Sequence, residues 1–380
     1  MSIKGKVAIV GIAETDSWYT PELSPLDMMA ITAKRALDEA GIDKSEVDGL
    51  FSSSAYYYLP TLSLGEYLGI VPTYTDSSTI GGSSFVSHLL HAAAAISAGL
   101  CNVALICYGS SQRSDAGKLV SMSEKNPFEE PFGAMYPISS YALAARRHMM
   151  QYGTTSEQLA EVAVAARQWA MKNPKASKRE PLTIQDVLNS SMISSPLHKL
   201  DCCLVTDGGG AVVLTSAERA RSLKQKPVYL SGAGESHSHR VISEMPDLTE
   251  TSAKFSGESA FKMAGVKQSD IDLLMLYDAF TINVILFLED LGFCPKGEGG
   301  AFISNGRIAP GGELAVNTNG GGLSSGHPGM LGIFLITEAV RQLRGEAGER
   351  QLSKCDIALV HGNGGTLSSQ VTAILSNEQI

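Results

Sequence analysis

Two glycine-rich turns near the end of the chain each carry a histidine. Asn317-Thr-Asn-Gly-Gly-Gly-Leu-Ser-Ser-Gly-His-Pro-Gly329 is followed by His361-Gly-Asn-Gly-Gly365, the second just after an apolar run of strand character. Glycine lets backbone approach a ligand closely and takes φ > 0 without strain. Histidine is the side chain whose ordinary pKa suits proton transfer near neutrality. The pair predicts one site assembled from two loops, with His327 and His361 as its acid/base groups, and makes an enzyme the first reading. His327, set before proline among glycines, suits a donor that polarises a carbonyl. His361, at a strand end, suits a group that moves a proton.

Other residues join the list with two readings each. Tyr277 is either an interior tyrosine with a satisfied hydroxyl or a group that exchanges a proton with a β-oxygen, as retro-aldol cleavage requires. Asp278 caps the helix that follows or takes part in the site, and Asn283 one turn on packs or caps. Ser83 and Ser84 are helix caps, or a replacement nucleophile that needs an adjacent histidine. His88 and His91 read as satisfied core histidines inside an apolar helix. The His237-Ser-His239 pair lacks a third ligand nearby, so no metal site is expected.

The elements that position these residues follow from the rest of the chain. At 380 residues there is room for two domains of ordinary size, with a core that needs no disulfide or metal staples. A net charge of −9 and a pI near 5.4 argue against a nucleic-acid-binding face. No run of 18 apolar residues is present to span a membrane, and the short N-terminal apolar run reads as a first strand, so a cytoplasmic location is expected. The six cysteines have apolar neighbours and no zinc spacing, and are expected to be reduced thiols packed in the core.

The chain also repeats itself. Ala40-Gly41-Ile-Asp-Lys-Ser45-Glu-Val-Asp48 recurs as Ala264-Gly265-Val-Lys-Gln-Ser269-Asp-Ile-Asp272, 224 residues on. Cys101-Asn-Val-Ala104-Leu105 recurs as Cys355-Asp-Ile-Ala358-Leu359, 254 residues on. The order is the same in both copies, which predicts a duplicated α/β unit with different insertions. Short apolar runs at 7–11, 103–107, 211–214, 273–276 and 357–361 read as buried strands. Residues 25–40 show helical periodicity, with Ser24 as N-cap and Gly41 as the stop. Residues 83–98 are nearly all small or apolar and predict a helix buried on every side. Residues 111–195 read as a strandless insertion covering the site, and 234–252 as the link between halves 1–240 and 241–380.

These residues resemble the thiolase superfamily along essentially the whole chain. Asn319-Gly-Gly-Gly-Leu-Ser-Ser-Gly326-His327-Pro328-Gly329 resembles its Asn-x-Gly-Gly…Gly-His-Pro signature, and Asp207-Gly-Gly-Gly-Ala211 its Asp-Gly-Ala-Ala-Ala strand. Tyr277-Asp278-Ala279-Phe280 is similar to the His-Asp-Cys-Phe of the sterol-carrier-protein-like branch, and His361 stands where that branch has histidine. The resemblance implies an α/β fold of duplicated αβαβα halves in a five-layered body with an inserted loop domain. It implies a CoA thioester as substrate with no bound cofactor, and C–C bond chemistry beside the thioester carbonyl. On the family pattern His327 stabilises the enolate oxygen and His361 moves the proton. Backbone near Gly82 and Gly362 holds a second oxyanion, with Ser83, Asp278 and Asn319 alongside. The family's acyl-accepting cysteine falls at Gly82, so three readings stand: an acyltransferase using Ser83, Ser84 or another thiol; a retro-aldol lyase relying on Tyr277; or a non-catalytic acyl-CoA-binding subunit. A homodimer is implied, and a small zinc-ribbon/OB-fold partner is a further expectation from the branch.

Overall fold

The computed structural model describes residues 3–116 and 126–380; the part of the expected 111–195 insertion at 117–125 lies outside the described residues. Among the described residues, twelve strands run in the order β1 Val7–Glu14, β2 Gly49–Ser52, β3 Tyr74–Asp76, β4 Val103–Ser110, β5 Met192–Ser194, β6 Leu197–His198, β7 Gly208–Ser216, β8 Val228–His237, β9 Leu273–Leu276, β10 Ala315–Val316, β11 Ile357–Gly364 and β12 Ser369–Ser376. The principal helices are α1 Pro25–Ala40, α2 Pro60–Leu68, α3 Ser84–Ser97, α4 Ile138–Tyr152, α5 Ser156–Met171, α6 Ala253–Ala264, α7 Thr281–Asp290 and α8 Gly332–Arg344.

Local chemistry sets α1 where the periodicity placed it. Ser24 accepts the Asp27 N–H while Asp27 reaches back to the Ser24 N–H, proline fills the first turn, and Gly41 at φ +70° ends the helix. The duplication is visible in the topology. The sheet order is β10-β9-β11-β12-β8-β1-β7-β4-β2-β3, two five-stranded halves with equivalent order meeting at the short antiparallel β1–β8 contact. β2 and β9 begin 224 residues apart, and β4 and β11 begin 254 apart, as the two sequence matches require. α1 and α6 cover the outer faces, while α3 and α8 pack together between the sheets. The result is the expected five-layered α/β body.

Three expectations change. The second copy opens with β8, so the halves divide before Val228 and not at 240; the Gly234–His237 stretch taken as linker is strand. α3 is enclosed through Leu89, but Ala94 and Ser97 are exposed, because its last turns outrun the sheets. The insertion is mostly helical, yet Met192–Ser194 and Leu197–His198 pair as a small hairpin beneath α4. α5 of the insertion packs on α7 and on the glycine-rich turn at Gly321–Ser325, which ties the cover to the site.

Candidate active site

A cavity of about 990 Å³ lies where the insertion meets the ends of the central elements. Its floor comes from Gly81 and Gly82 before α3, Tyr277, Ala279 and Phe280 after β9, the His327 turn, and Asn363 at the end of β11. Its walls are apolar, with Ile138, Leu182, Leu200, Leu204 and Met330, and its charged lining residues are Arg167, Lys178, Glu180 and Lys199.

Tyr277 and His327 are brought together. The Tyr277 N–H donates to His361 O at 3.0 Å, which fixes the tyrosine to the end of β11. Its hydroxyl stands 3.0 Å from His327 Nε2, accepts the Leu331 N–H at 3.3 Å and has Gly329 O at 3.4 Å. The two rings meet edge to face. Burial pushes the His327 imidazolium down to about 4 and raises the Tyr277 hydroxyl well above its ordinary value, so both are neutral near pH 7.

Gly82 meets this pair directly. A Cβ on Gly82 would lie 2.2 Å from Tyr277 Cε2 and 2.3 Å from its oxygen. The tyrosine hydroxyl therefore occupies the space that a side chain at the head of α3 would fill.

Asp278 and Asn319 position the histidine turn rather than line the cavity. Asp278 accepts the Gly322 N–H at 2.7 Å and the Leu323 N–H at 3.3 Å, and Asn319 Oδ1 accepts the Gly321 N–H at 2.8 Å. Gly321 sits at φ +60°, where a Cβ would come 2.0 Å from Asp278 Oδ2, so only glycine lets the turn close over the carboxyl. Burial raises the Asp278 carboxyl to about 7, against the opposing pull of those N–H donors. Asn317 completes the clamp by bridging both backbone groups of Leu276.

The serines and His361 are not where catalysis would need them. Ser84 Oγ accepts the Ile80 N–H at 3.0 Å and donates to Gly81 O at 2.7 Å, a closed turn with no histidine. Ser83 Oγ is held between Ile80 O and Ser369 Oγ. His361 is fully buried, its Nδ1 on Thr372 Oγ1 and its Nε2 on Gln370 Oε1, both at 2.9 Å, with its ring against Phe287. Burial holds its imidazolium down to about 4. Gly362 faces α3, where a Cβ would lie 2.9 Å from Ser83 Cα, so it lets strand and helix touch. The expected roles of Ser84 and His361 as groups facing substrate are thus corrected: their polar atoms are taken by the protein itself.

Among the lining residues that the sequence did not single out, two come closest to the histidine pair's network. Asn363, two positions beyond His361 and on the same strand face, reaches the cavity, as does Tyr141 from α4. Strand alternation from His361 was the available signal for Asn363; nothing local marks Tyr141. Cys202 and Cys203 also line the cavity, and burial pushes both thiols up, Cys202 to about 12, so neither is a thiolate.

The remaining histidines divide. His88 is buried between the rings of Phe51 and Phe85 with neither ring nitrogen partnered among the described residues, so it is not the satisfied core histidine expected. His91 bonds Asp76 at 2.5 Å and Glu235 at 3.3 Å, and these carboxylates raise it to about 9. His237 and His239 bond Ser369 and Thr366, and the described residues contain no metal-binding cluster. No helix among them is long and apolar enough to cross a membrane.

Known proteins share this architecture. A family model described as thiolase C-terminal domain-like matches residues 234–377. The chain is 33% identical over 381 residues to an acetyl-CoA acetyltransferase of Methanothermobacter thermautotrophicus, covering 97% of this chain and 99% of the relative. It is 36% identical over 366 residues to the 17-hydroxy-3-oxo-4-pregnene-20-carboxyl-CoA lyase of Mycobacterium tuberculosis, covering 90% and 92%. A solved structure described as an Ltp2-ChsH2(DUF35) aldolase superposes with a TM-score of 0.90 at 31% identity, over 100% of both chains. With relatives above 30% identical along nearly their whole length, the duplicated sheets and the His327 turn have one source: the chain belongs to the thiolase superfamily, in its sterol-carrier-protein-like branch.

Proposed function

We propose that the protein is a thiolase-like enzyme that splits a β-hydroxyacyl-CoA by a retro-aldol step, without a covalent acyl-enzyme. One observation carries this reading: the Tyr277 hydroxyl fills the space at the head of α3 where a nucleophilic side chain would stand. Tyr277 takes the proton of the substrate β-hydroxyl as its own proton passes to His327 Nε2. The O–H electron pair becomes the new C=O, the Cα–Cβ bond breaks, and its pair moves onto Cα and the thioester oxygen as an enolate. His327 returns its proton through Tyr277 to Cα, releasing a carbonyl compound and a shortened acyl-CoA. The lyase relative and the solved aldolase support the direction of chemistry, and the acetyltransferase relative supports the shared thioester C–C chemistry.

Incubating the protein with a series of β-hydroxyacyl-CoAs tests the reading. The expected result is a carbonyl product together with an unchanged intact-protein mass. A stable acyl adduct, with no cleavage, would instead mean acyl transfer, for which Cys202 and Cys203 are the thiols lining the cavity. A protein that binds these esters and does neither is a binding subunit.

The pH dependence follows from the pair. The relay needs His327 neutral, and its imidazolium forms only below about 4. The acid limb of kcat/KM is therefore expected near pH 4, not near the ordinary 6.5. An acid limb at 6 or above in a stable enzyme would remove His327 from the buried relay.

The assembly is part of the same proposal. A homodimer in the cytoplasm, with acyl-CoA as ligand and a small zinc-ribbon/OB-fold subunit as partner, fits the branch, and the solved aldolase is described as a complex with a DUF35 protein.

A further inference from the structure

Retro-aldol cleavage develops negative charge on the thioester oxygen, and in the proposed step the Tyr277–His327 pair serves the β-oxygen. A separate donor is needed. The side chains behind the cavity floor determine which group it is.

Gln370 is the anchor. One of its amide atoms lies 3.0 Å from Leu367 O, a backbone carbonyl that only accepts, so that atom is the NH2 nitrogen. The same nitrogen donates its other hydrogen to Asn363 Oδ1 at 2.8 Å. The Gln370 oxygen therefore faces His361 Nε2, which must carry the ring proton, while Nδ1 accepts from Thr372 Oγ1. His361 and Thr372 are direct cross-strand partners on β11 and β12, and so are Asn363 and Gln370, so the chain of bonds is built into the register. Burial, which holds the His361 imidazolium down to about 4, keeps this single neutral tautomer in place.

The consequence falls on Asn363. With its oxygen held by Gln370, its NH2 points the other way, toward the cavity wall. One N–H donates to Tyr141 Oη at 2.8 Å, and the Tyr141 hydroxyl donates in turn to Gly365 O at 3.0 Å. The second Asn363 N–H has no partner among the described residues, and Asn363 lines the cavity. Tyr141 is itself held by stacking on Phe280 at 4.4 Å, so the amide plane cannot turn freely.

We propose that the free Asn363 Nδ2–H is the donor that stabilises the thioester oxygen of a bound acyl-CoA as its enolate forms, with Gln370 and His361 as positioning residues that fix the amide. This rests on the premise of the proposed function that a thioester enolate forms in this cavity. His361, displaced from direct catalysis by its burial, thereby acts through two side chains. A preorganised amide donor in a water-poor site is the arrangement that favours charge developing on oxygen.

The test uses hydrogen–deuterium exchange at Cα of simple acyl-CoAs, acetyl to hexanoyl, with the whole chain in D2O. This reports enolate formation without C–C cleavage. Wild-type protein is expected to catalyse exchange, and Asn363→Leu, which keeps the shape and removes the donor, is expected to slow it by roughly 10²–10³-fold. KM should move much less than kcat, and the circular dichroism should stay near wild type while Tm falls by a few degrees, because the change also takes the acceptor from Gln370 and the donor from Tyr141. Gln370→Met is expected to cause a smaller loss, and Asn363→Leu/Gln370→Met no further loss beyond Asn363→Leu alone. Exchange at the wild-type rate in folded Asn363→Leu overturns the assignment, and so does the absence of wild-type exchange across the series. Asn363-dependent exchange without cleavage of any β-hydroxyacyl-CoA would sink the lyase reading while leaving the donor in place.

Discussion

Tyr277→Phe is expected to reduce kcat for β-hydroxyacyl-CoA cleavage by roughly 10²–10⁴-fold, the usual loss for a general acid/base group. The phenyl ring keeps the edge contact with His327 and the place beside Gly82. What disappears is the hydroxyl and its bonds to His327 Nε2 and the Leu331 N–H. The hydroxyl's hydrogen bonds contribute about 1 kcal/mol each to stability, so Tm should fall by only a few degrees. KM for the thioester should change much less than kcat, since the proposed part of the hydroxyl is in the proton transfer. A companion His327→Gln variant should lose activity on a similar scale, and Tyr277→Phe/His327→Gln should be little worse than either alone, because the two groups act as one relay. Cleavage at more than a tenth of the wild-type rate in Tyr277→Phe would mean that another group takes the β-hydroxyl proton.

The sequence made the fold legible for a physical reason. Two fragments at offsets of 224 and 254 mark the same strand pair in each half, and the structure gives those strands equivalent neighbours. Local signals set α1 correctly because its boundaries depend on neighbouring residues: the Ser24–Asp27 box and Gly41. The boundary at 240 failed because β8 is rich in small residues, Gly232 to Gly234 among them, and such a strand lacks the apolar signature that a sequence reading looks for. Strand identity there comes from pairing with β12, a tertiary fact.

The site was half legible. His327 stood out because a histidine between glycines and proline has no packing role to fill, and it does line the cavity. His361 stood out for the same reason, but the face of a strand cannot be told from one residue. His361 and Asn363 share one face of β11, but His361 lies deeper, against Phe287, while Asn363 near the strand end reaches the cavity edge. Tyr141 was beyond reach, since its place depends on how α4 docks across more than two hundred residues of chain. The meaning of Gly82 also depends on tertiary contact. Sequence showed a glycine where the family pattern expects a reactive side chain; only the position of the Tyr277 ring shows why.

That contact leads to the second large effect, at Gly82. Gly82→Ala is expected to destabilise the protein by about 1–3 kcal/mol, the range for overpacking a filled interior, and to cut cleavage as deeply as removing the Tyr277 hydroxyl. The three atoms nearest an added Cβ all belong to Tyr277, at 2.2 to 2.4 Å, so the ring must swing away from His327 to make room. Gly82 does not sit at positive φ, so the cost is contact and not backbone strain. The origin can therefore be isolated. Tyr277→Ala removes the obstructing ring, and Gly82→Ala/Tyr277→Ala should be more stable than the sum of the single changes allows, by an amount close to the Gly82→Ala penalty. Its activity should stay lost, because the proton relay is gone in either background. Thermal unfolding of the four proteins, with cleavage assays alongside, reads both effects. If Gly82→Ala keeps wild-type stability and turnover, the tyrosine does not occupy the nucleophile's space, and the argument against a covalent acyl-enzyme falls with it.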